Sequence, residues 1–522
     1  MPSMLARPGH RLGLIAVLAV SAAACARSAQ QTPGPLPRTA PAADSARRDS
    51  LRRDSVRADT TPPPALMAVA AVDVSHPPTL GAPAELRLAP ITERTLPNGL
   101  RLLVVEQREL PVVDMLLLVR TGGEADPAAR SGLATLTASL LDEGTSTRDA
   151  LGIADQAAYL GVGLATGSGW DQATVSLHAP TARLDSALAL FADVVLRPSF
   201  PGKELERLRQ ERLTELVQLR DRAPAIADRA FASAVYGSTH PYGRPLDGTQ
   251  ASTKAITRAD VQRYYDTYYR PNNATLIVVG DVRADDLERR VTQLFGGWAR
   301  RDVPRVAAGT APAPTATTIY VVDKPGAPQS SIRIGGVGVA RATDDYFPLQ
   351  VMNTILGGSF TSRLNQNLRE TRGYTYGARS GFAMRTMAGP FTARAEVTGT
   401  KTDSSLIEFM KELRAIADTV PQAELEKAKR YLVLRLPGSF ETTRDIAGEL
   451  VPVALYGLPL DYYDDYSARV QAVTQADVQR VARKYLNPAA FTMVVVGDRA
   501  TIAPAIEAAK LGRTVPLDLP PQ

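Results

Sequence analysis

The sequence predicts an α+β fold made of two homologous domains, each with a largely antiparallel sheet and helices packed on it. Two observations favour this class. A set of residues recurs once along the chain at a constant spacing, and each half runs from strand-like segments through helical periodicity to another strand. The chain has 522 residues, of which 44% are hydrophobic, and this length is ample for two sizeable cores.

The internal repeat is the basis for predicting two domains. Its members lie 217 positions apart: Val104 and Val321, Pro111 and Pro328, Thr257 and Thr474, Asp260 and Asp477, Pro271 and Pro488, Gly280 and Gly497. One spacing held over the length of a domain favours duplication over convergent composition.

The elements of the first half follow from apolar patterning. Residues 100–106 and 112–120 are runs rich in Val and Leu, which predict strands. Residues 133–141 and 205–219 have helical periodicity. Residues 274–279 predict a buried strand that ends at a Gly-Asp pair.

The second half repeats this order. Residues 425–436 predict a helix, and an earlier helix carries one apolar face made of Leu406, Phe409, Met410, Leu413 and Ile416. An Ala/Pro/Thr-rich stretch separates the halves, as expected of a domain boundary.

The N-terminus has the pattern of an export signal. Arg7 and Arg11 precede a 13-residue run of apolar or small residues, Leu12 to Ala24, which is followed by Cys25 and is too short to span a bilayer. Its small-small-Cys ending resembles a bacterial lipobox, which implies that Cys25 is lipidated and the chain faces the periplasm at the outer membrane. Ordinary cleavage at Ala-x-Ala, releasing a soluble protein, is the alternative.

A proline-rich segment without aromatic residues follows, and it predicts a disordered tether. The predicted organisation is a signal peptide at 1–25, a tether at 26–87, a first domain at 88–306, a linker at 307–318, a second domain at 319–512 and a tail at 513–522.

Composition excludes several kinds of site. One Cys excludes an internal disulfide and a Cys-based zinc cluster, and the four His include no pair at helical spacing. His178 and His240 are therefore interpreted as a strand residue and a loop cap. The net charge of +6 is small for this length, and the arginines are spread along the chain, so no nucleic-acid partner is predicted.

Five fragments carry a family resemblance, in this order: LPNGLRLLVVEQRELPVV, SGLATLTASLLDEGT, HPYGRPLDGT, YYRPNNATLIVVGDV and LGGSFTSRLNQNLRETRGYTY. Together they resemble the insulinase/pitrilysin family of zinc metallopeptidases, in the branch with mitochondrial processing peptidase. The likeness covers about residues 88–510 and implies that family's two-domain fold.

The sequence departs from the family at its HxxEH zinc motif. Thr135 and Ser139 stand at the two His positions, and Ala138 stands at the position of the general base. Neutral hydroxyls are poor zinc ligands, so no metal is predicted in this chain. Glu215, 76 residues after Ser139, matches the third ligand position, but we interpret it as a solvated helix carboxylate.

Another part of the family's machinery is present. By resemblance, Arg369 and Tyr376 match an Arg and a Tyr that hold the substrate and stabilise the oxyanion, while Gly357 and Gly358 match a loop that approaches the peptide. A surface charge and a strand aromatic are the alternative interpretation of the first pair.

The family binds substrate as an added strand, and the matching edge here is at 163–168, with Leu164, Ala165 and Thr166 as candidate substrate-binding residues. The glycine content of this segment suggests a bulge or a close backbone approach.

The resemblance therefore implies a non-catalytic subunit of a heterodimeric envelope zinc peptidase. Such a subunit binds unfolded peptide and supplies Arg369 and Tyr376 to the zinc site of a homologous partner, which holds the metal. The alternative is a structural or peptide-binding protein of the same fold without a proteolytic role. A lone active peptidase with substituted ligands is a third and weaker alternative.

Overall fold

Two six-stranded sheets with helices packed on them form the part of the chain that the computed structural model describes, residues 88–307 and 309–518. This confirms the predicted α+β class. The predicted signal peptide, Cys25 and the tether lie outside the described residues, so lipidation and localisation stay predictions. None of the described helices is long and apolar enough to cross a membrane.

The first sheet is built by strands β1 (Ile91–Thr95), β2 (Arg101–Glu106), β3 (Val112–Val119), β4 (Gly163–Ser168), β5 (Ala173–Pro180) and β6 (Ala274–Gly280). Their order is β1-β2-β6-β3-β5-β4, and β2 and β6 are parallel while the other neighbours are antiparallel. All seven residues of β6 are buried, as expected for a continuous apolar run at the centre of a sheet.

The second sheet is built by β7 (Thr318–Asp323), β8 (Gln329–Val337), β9 (Thr375–Phe382), β10 (Pro390–Thr398), β11 (Thr492–Gly497) and β12 (Arg513–Pro516). The order β12-β7-β11-β8-β10-β9 repeats the first sheet except at one edge. There, β12 comes from the predicted tail and lies parallel to β7, whereas β1 comes from the N-terminal side and lies antiparallel to β2.

The helices of the first half are α1 (Leu133–Ser139), α2 (Ala150–Leu160), α3 (Leu184–Leu196), α4 (Gly202–Leu219), α5 (Ala223–Tyr236), α6 (Gln250–Ala255), α7 (Arg258–Tyr268) and α8 (Ala284–Phe295). Those of the second half are α9 (Tyr346–Asn353), α10 (Arg363–Asn365), α11 (Thr402–Asp418), α12 (Gln422–Arg435), α13 (Thr443–Tyr456), α14 (Tyr466–Ala472), α15 (Gln475–Tyr485) and α16 (Arg499–Ala508). Two π-helical segments, Thr354–Gly358 and Gln366–Thr371, flank α10.

The repeated Thr-x-x-Asp motif begins a helix in each half. The Asp260 amide N–H donates to Thr257 Oγ1 at 3.2 Å, and the Thr257 amide donates back to Asp260 Oδ2 at 2.9 Å. Thr474 and Asp477 make the same capping box at the start of α15. Because the box satisfies amides that have no partner within the helix, it fixes where each helix begins.

The two halves exchange helices. α5 of the first half packs on β8 and β11 of the second sheet, and α13 of the second half packs on β3 and β6 of the first. Phe231 of α5 is buried in one cluster with Val494 and Val496, and Leu450 of α13 is buried in another with Ile277. The contact between the halves is therefore a hydrophobic core.

Buried polar groups also join the halves. Asp114 on β3 accepts a hydrogen bond from Thr443 Oγ1 on α13 at 2.6 Å. Asp171 accepts from the Tyr242 hydroxyl at 2.6 Å and from the Thr386 amide at 2.7 Å. The bonds from Thr443 and Thr386 cross between the halves and help to fix their alignment, because a buried carboxylate that loses a donor is destabilised.

Candidate functional site

Helix α1 carries the residues that replace the zinc motif, Thr135, Ala138 and Ser139. One carboxylate binds the N-terminus of this helix. Asp126 accepts hydrogen bonds from the amides of Gly132 at 2.7 Å and Ala134 at 2.8 Å. Gly132 has a φ of 92°, a conformation that favours glycine. Ala138, at the position of the family's general base, is fully buried.

The hydroxyls at the two His positions are bonded within the helix. Thr135 Oγ1 donates to the Gly132 carbonyl at 2.9 Å, and Ser139 Oγ donates to the Thr135 carbonyl at 3.0 Å. Such back-bonding satisfies a hydroxyl locally. Both hydroxyls are therefore already bonded to the backbone of their own helix turn.

A guanidinium lies where the motif faces α4. Arg212 Nη1 is 3.3 Å from Thr135 Oγ1 and 3.1 Å from the Asp247 carbonyl oxygen, and Nε is 3.3 Å from Glu215 Oε2. The Arg212 side chain is only 17% exposed. A fixed positive charge thus contacts both the first ligand position and the third, which opposes binding of a divalent cation there. Sequence reasoning missed Arg212, although it stands three residues before Glu215 on the same helical face.

Metal-binding groups are lacking around this motif. Within the described residues, no group of three or more His, Cys, Asp or Glu side chains is arranged to hold a metal ion. Glu215 is 66% exposed. His178 Nδ1 lies 3.0 Å from Asp114 Oδ2, and His240 Nδ1 accepts from the Tyr242 amide at 3.0 Å, which makes it a loop cap. The residues present do not fit a zinc ion.

Two acidic groups lie beside α1, Asp126 buried and Glu124 half-buried. Burial raises the pKa of Glu124 to about 8, although the Gly122 amide donates to its carboxylate at 2.8 Å. Burial likewise raises the pKa of Asp126 to about 7, against the opposing effect of its two amide donors. Both groups follow β3 in the turn that leads to α1, and their environment favours the neutral acid.

Glu124→Gln is expected to flatten the pH dependence of stability. The folded pKa of Glu124, about 8, lies above its ordinary 4.5, so its contribution is complete below pH 4.5 and is lost as the pH rises through 8. Glutamine keeps an acceptor for Gly122 and cannot ionise. Urea denaturation should show that the variant loses roughly 3 kcal/mol less than the wild type between about pH 5 and 8, since one pKa unit corresponds to about 1.4 kcal/mol. Glu109→Gln, at an exposed position, is the control, and parallel curves for all three proteins would contradict the assignment.

Arg369 precedes β9 and Tyr376 lies on β9, which is the outermost strand of the second sheet. Arg369 is in a π-helical segment, 3.5 Å from Glu370 through Nε, and its guanidinium stacks on the exposed ring of Phe360 at 4.6 Å. Tyr376 on β9 is 89% exposed, and its hydroxyl makes no hydrogen bond within the described residues. The predicted pair is accessible from outside, and the roles of both residues stay predictions.

Gly357 and Gly358 have a packing role within the chain. A Cβ on Gly357 would lie 2.3 Å from the Ser380 amide nitrogen, and one on Gly358 would lie 2.8 Å from Asn353 Nδ2. Close backbone approach therefore does require glycine here, but the approaching group is β9 and α9 rather than a peptide.

Strand β4, with Leu164, Ala165 and Thr166, is the outermost strand of its sheet and pairs only with β5. It also contacts α1. The expected bulge is wrong, because every residue from Gly163 to Ser168 pairs in continuous register with β5. A close backbone approach is absent as well at Gly163, where a Cβ would meet open space. The unpaired edge is suited to an added strand.

Sequence reasoning missed a cavity of about 550 Å³ that is lined by residues of both halves. We call it the arginine cavity, since its lining includes Arg229, Arg244, Arg379, Arg385 and Arg394. Gly357, Gly358 and Asp247 also line it, so it reaches from the glycine segment to the neighbourhood of α1. The one sequence feature that could have indicated this cavity is the presence of arginines within strand-like segments. The strand register that groups them is not readable from sequence.

Comparisons with known proteins agree with these features. Residues 102–250 match the family model described as Insulinase (Peptidase family M16), and residues 255–432 match the model described as Peptidase M16 inactive domain. A Mycobacterium leprae protein named as an uncharacterized zinc protease is 30% identical over 323 residues, 60% of this chain and 71% of that protein.

A solved structure described as the peptidase M16 inactive domain from Pseudomonas fluorescens has a TM-score of 0.73 and 30% identity, and covers 78% of this chain and 98% of that one. A Helicobacter pylori protein named as a non-peptidase homolog is 22% identical over 388 residues, 73% of this chain and 88% of that protein.

Proposed function

The chain belongs to the insulinase (M16) peptidase family as a non-catalytic, M16-like member, and on that premise we propose that it is one subunit of a heterodimeric zinc peptidase of the cell envelope. The observation that carries the proposal is the placement of Arg212 against Thr135 and Glu215. A site whose ligand positions hold hydroxyls and a cation has no means of activating water by itself. The zinc of the proposed assembly therefore belongs to a homologous partner.

Exposure of Arg369 and Tyr376 supports a role for them in that partner's site. A tyrosine side chain that is 89% exposed and unpaired is free to contact a second polypeptide. In the proposed assembly, the guanidinium of Arg369 offers a fork of donors to the substrate backbone. The Tyr376 phenol adds a donor toward the oxygen where negative charge develops, which stabilises the transition state electrostatically.

The unpaired edge of β4 supports binding of unfolded peptide. An extended peptide laid along Gly163–Ser168 would complete main-chain hydrogen bonds that β5 makes on the other side. Because β4 contacts α1, a peptide bound there would lie beside the substituted zinc-motif positions and would not be cleaved. At the envelope, the proposed lipid on Cys25 would attach this subunit to the periplasmic face of the outer membrane.

The test is reconstitution with a homologous subunit that has an intact HxxEH motif. Neither purified chain should show strong peptidase activity alone, and the mixture should. Arg369→Ala and Tyr376→Phe are each expected to lower turnover of the mixture by about tenfold or more, because each removes a donor used in the transition state. Assembly, followed by size-exclusion chromatography, should be unchanged.

Tyr374→Phe is the matched control, since it removes a hydroxyl two residues away on the same segment. Full activity of both site variants in an active mixture would show that the assigned roles are wrong. If no homologous subunit gains activity from this chain, the alternative of a structural or peptide-binding protein is favoured instead.

A further inference from the structure

The arginine cavity carries an excess of positive charge. Its five arginines are accompanied, among the described residues that line it, by only two acidic side chains, Asp228 and Asp247. Each acid has its direct partner outside these five arginines. Asp228 Oδ1 accepts from Arg333 Nε at 2.6 Å, and Asp247 Oδ1 lies 3.8 Å from Arg212 Nη1. None of the five guanidinium groups forms an ion pair within the described residues, and the carboxylates of Asp247, Asp126 and Asp171 act on Arg229, Arg244 and Arg385 only from a longer distance.

A row of arginines crosses three neighbouring strands. Arg394 on β10 is directly opposite Arg379 on β9 and Arg333 on β8. Like charges at opposed positions destabilise a sheet. Arg333 is compensated by Asp228 and by Glu396 at 3.3 Å, but Arg379 and Arg394 form no ion pair within the described part of the chain. This arrangement costs stability in the free protein, and a bound anion would offset the cost.

Donors on the opposite wall are also unsatisfied. Arg229 Nη2 and Arg244 Nε are buried and have no hydrogen-bond partner among the described residues. Arg385 is held over the rings of Trp170 at 4.6 Å and Tyr242 at 4.4 Å. These partly desolvated guanidinium groups add positive potential to their wall of the cavity, and this potential favours an anionic ligand.

We propose that the arginine cavity binds an acidic segment of an extended peptide. The carboxylates of the peptide pair with the guanidinium groups, and its apolar side chains contact the rings of Trp170 and Tyr242 in the cavity wall. A planar guanidinium matches a carboxylate with two parallel hydrogen bonds. The arginines come from α5, the turn that follows His240, β9, β10 and the loop between these strands. Charges distributed over so many elements suit several carboxylates along a chain better than one compact anion.

This inference rests on the proposed peptide-binding function and specifies its substrate class. The test uses the full chain and fluorescein-labelled, unstructured peptides of one length that differ only in carrying several Glu, Gln or Lys residues. Fluorescence anisotropy should give about tenfold or tighter binding of the Glu peptide than of the Gln peptide. Added salt should weaken binding of the Glu peptide, since the attraction is between charges.

The decisive variants are Arg379→Gln and Arg394→Gln, singly and together. Both positions are exposed and removing one of two opposed cations should not lower stability, which a thermal melt verifies. The double variant should weaken binding of the Glu peptide by about tenfold or more. Arg430→Gln, at an exposed position on α12 outside the cavity, is the matched control and should bind as the wild type does.

Three results would overturn the inference. Equal binding of Glu and Gln peptides that the double variant retains would leave the proposed peptide binding intact and remove the cavity from it. Failure of every peptide to bind a chain that still activates a zinc-bearing partner would leave the proposed subunit role intact and remove peptide binding, together with the role of the cavity in it. Tighter binding of inorganic pyrophosphate than of the Glu peptide, lost in the double variant, would assign the cavity to a small phosphate compound.

Discussion

Histidines restored at the two ligand positions, Thr135→His with Ser139→His, are expected to leave the chain without tightly bound zinc as long as Arg212 is present. With Glu215 these changes complete a three-ligand set, and Ala138 is kept so that no carboxylate enters a fully buried position. Charges of +1 and +2 held about 4 Å apart repel by about 8 kcal/mol at an effective dielectric constant of about 20. That cost offsets most of the ~10 kcal/mol that a good zinc site supplies.

Arg212→Ala added to the two histidine substitutions should then allow close to one zinc per chain. Metal content after dialysis, measured by mass spectrometry, compares the double and triple variants directly. Arg220→Ala, at an exposed position at the end of α4, is the control for loss of a nearby charge. Stoichiometric zinc in the double variant would show that the guanidinium does not exclude the ion.

At the substituted zinc-motif positions, the sequence predicted which residues are present but not which side chains surround them. The hydroxyls at 135 and 139 and the missing base at 138 are local facts, and comparison with one family pattern is enough to find them. The position of Arg212 depends on how α4 crosses α1, which is a tertiary property. The arginine row likewise requires the pairing of β8, β9 and β10, because residues 333, 379 and 394 show no spacing that groups them.

Elements with a strong local pattern were predicted close to their observed bounds. The apolar face from Leu406 to Ile416 is buried on α11, and residues 205–219 fall within α4. The sheet edges were not predicted, since β1 and β12 are short and their pairing is decided by the strand that each one meets. The exchange of α5 and α13 was missed for a similar reason. A continuous apolar strand indicates that both faces are covered, but not which helix covers them.

Because the halves exchange helices, residues 88–306 expressed alone should not form a native domain. One face of the first sheet packs on helices of its own half, whereas the other face packs on α13. The residues on the second face are Leu103, Val105, Leu118, Ile277 and Val279. Exposing five such side chains costs roughly 10 kcal/mol, which is comparable to the whole stability of a typical domain.

The fragment should therefore aggregate or bind a hydrophobic dye, and co-expression with residues 307–522 should recover a soluble complex. Size-exclusion chromatography and near-ultraviolet circular dichroism distinguish these states. The same fragment with Leu103→Thr and Ile277→Thr is the matched control, because threonine favours strands yet lowers the exposed apolar area, and it should aggregate less. A wild-type fragment that is monomeric and melts cooperatively would mean that the cores of the halves are separable. Since α5 covers the second sheet in the same reciprocal way, each half supplies a structural element that the other lacks, and the two are one folding unit.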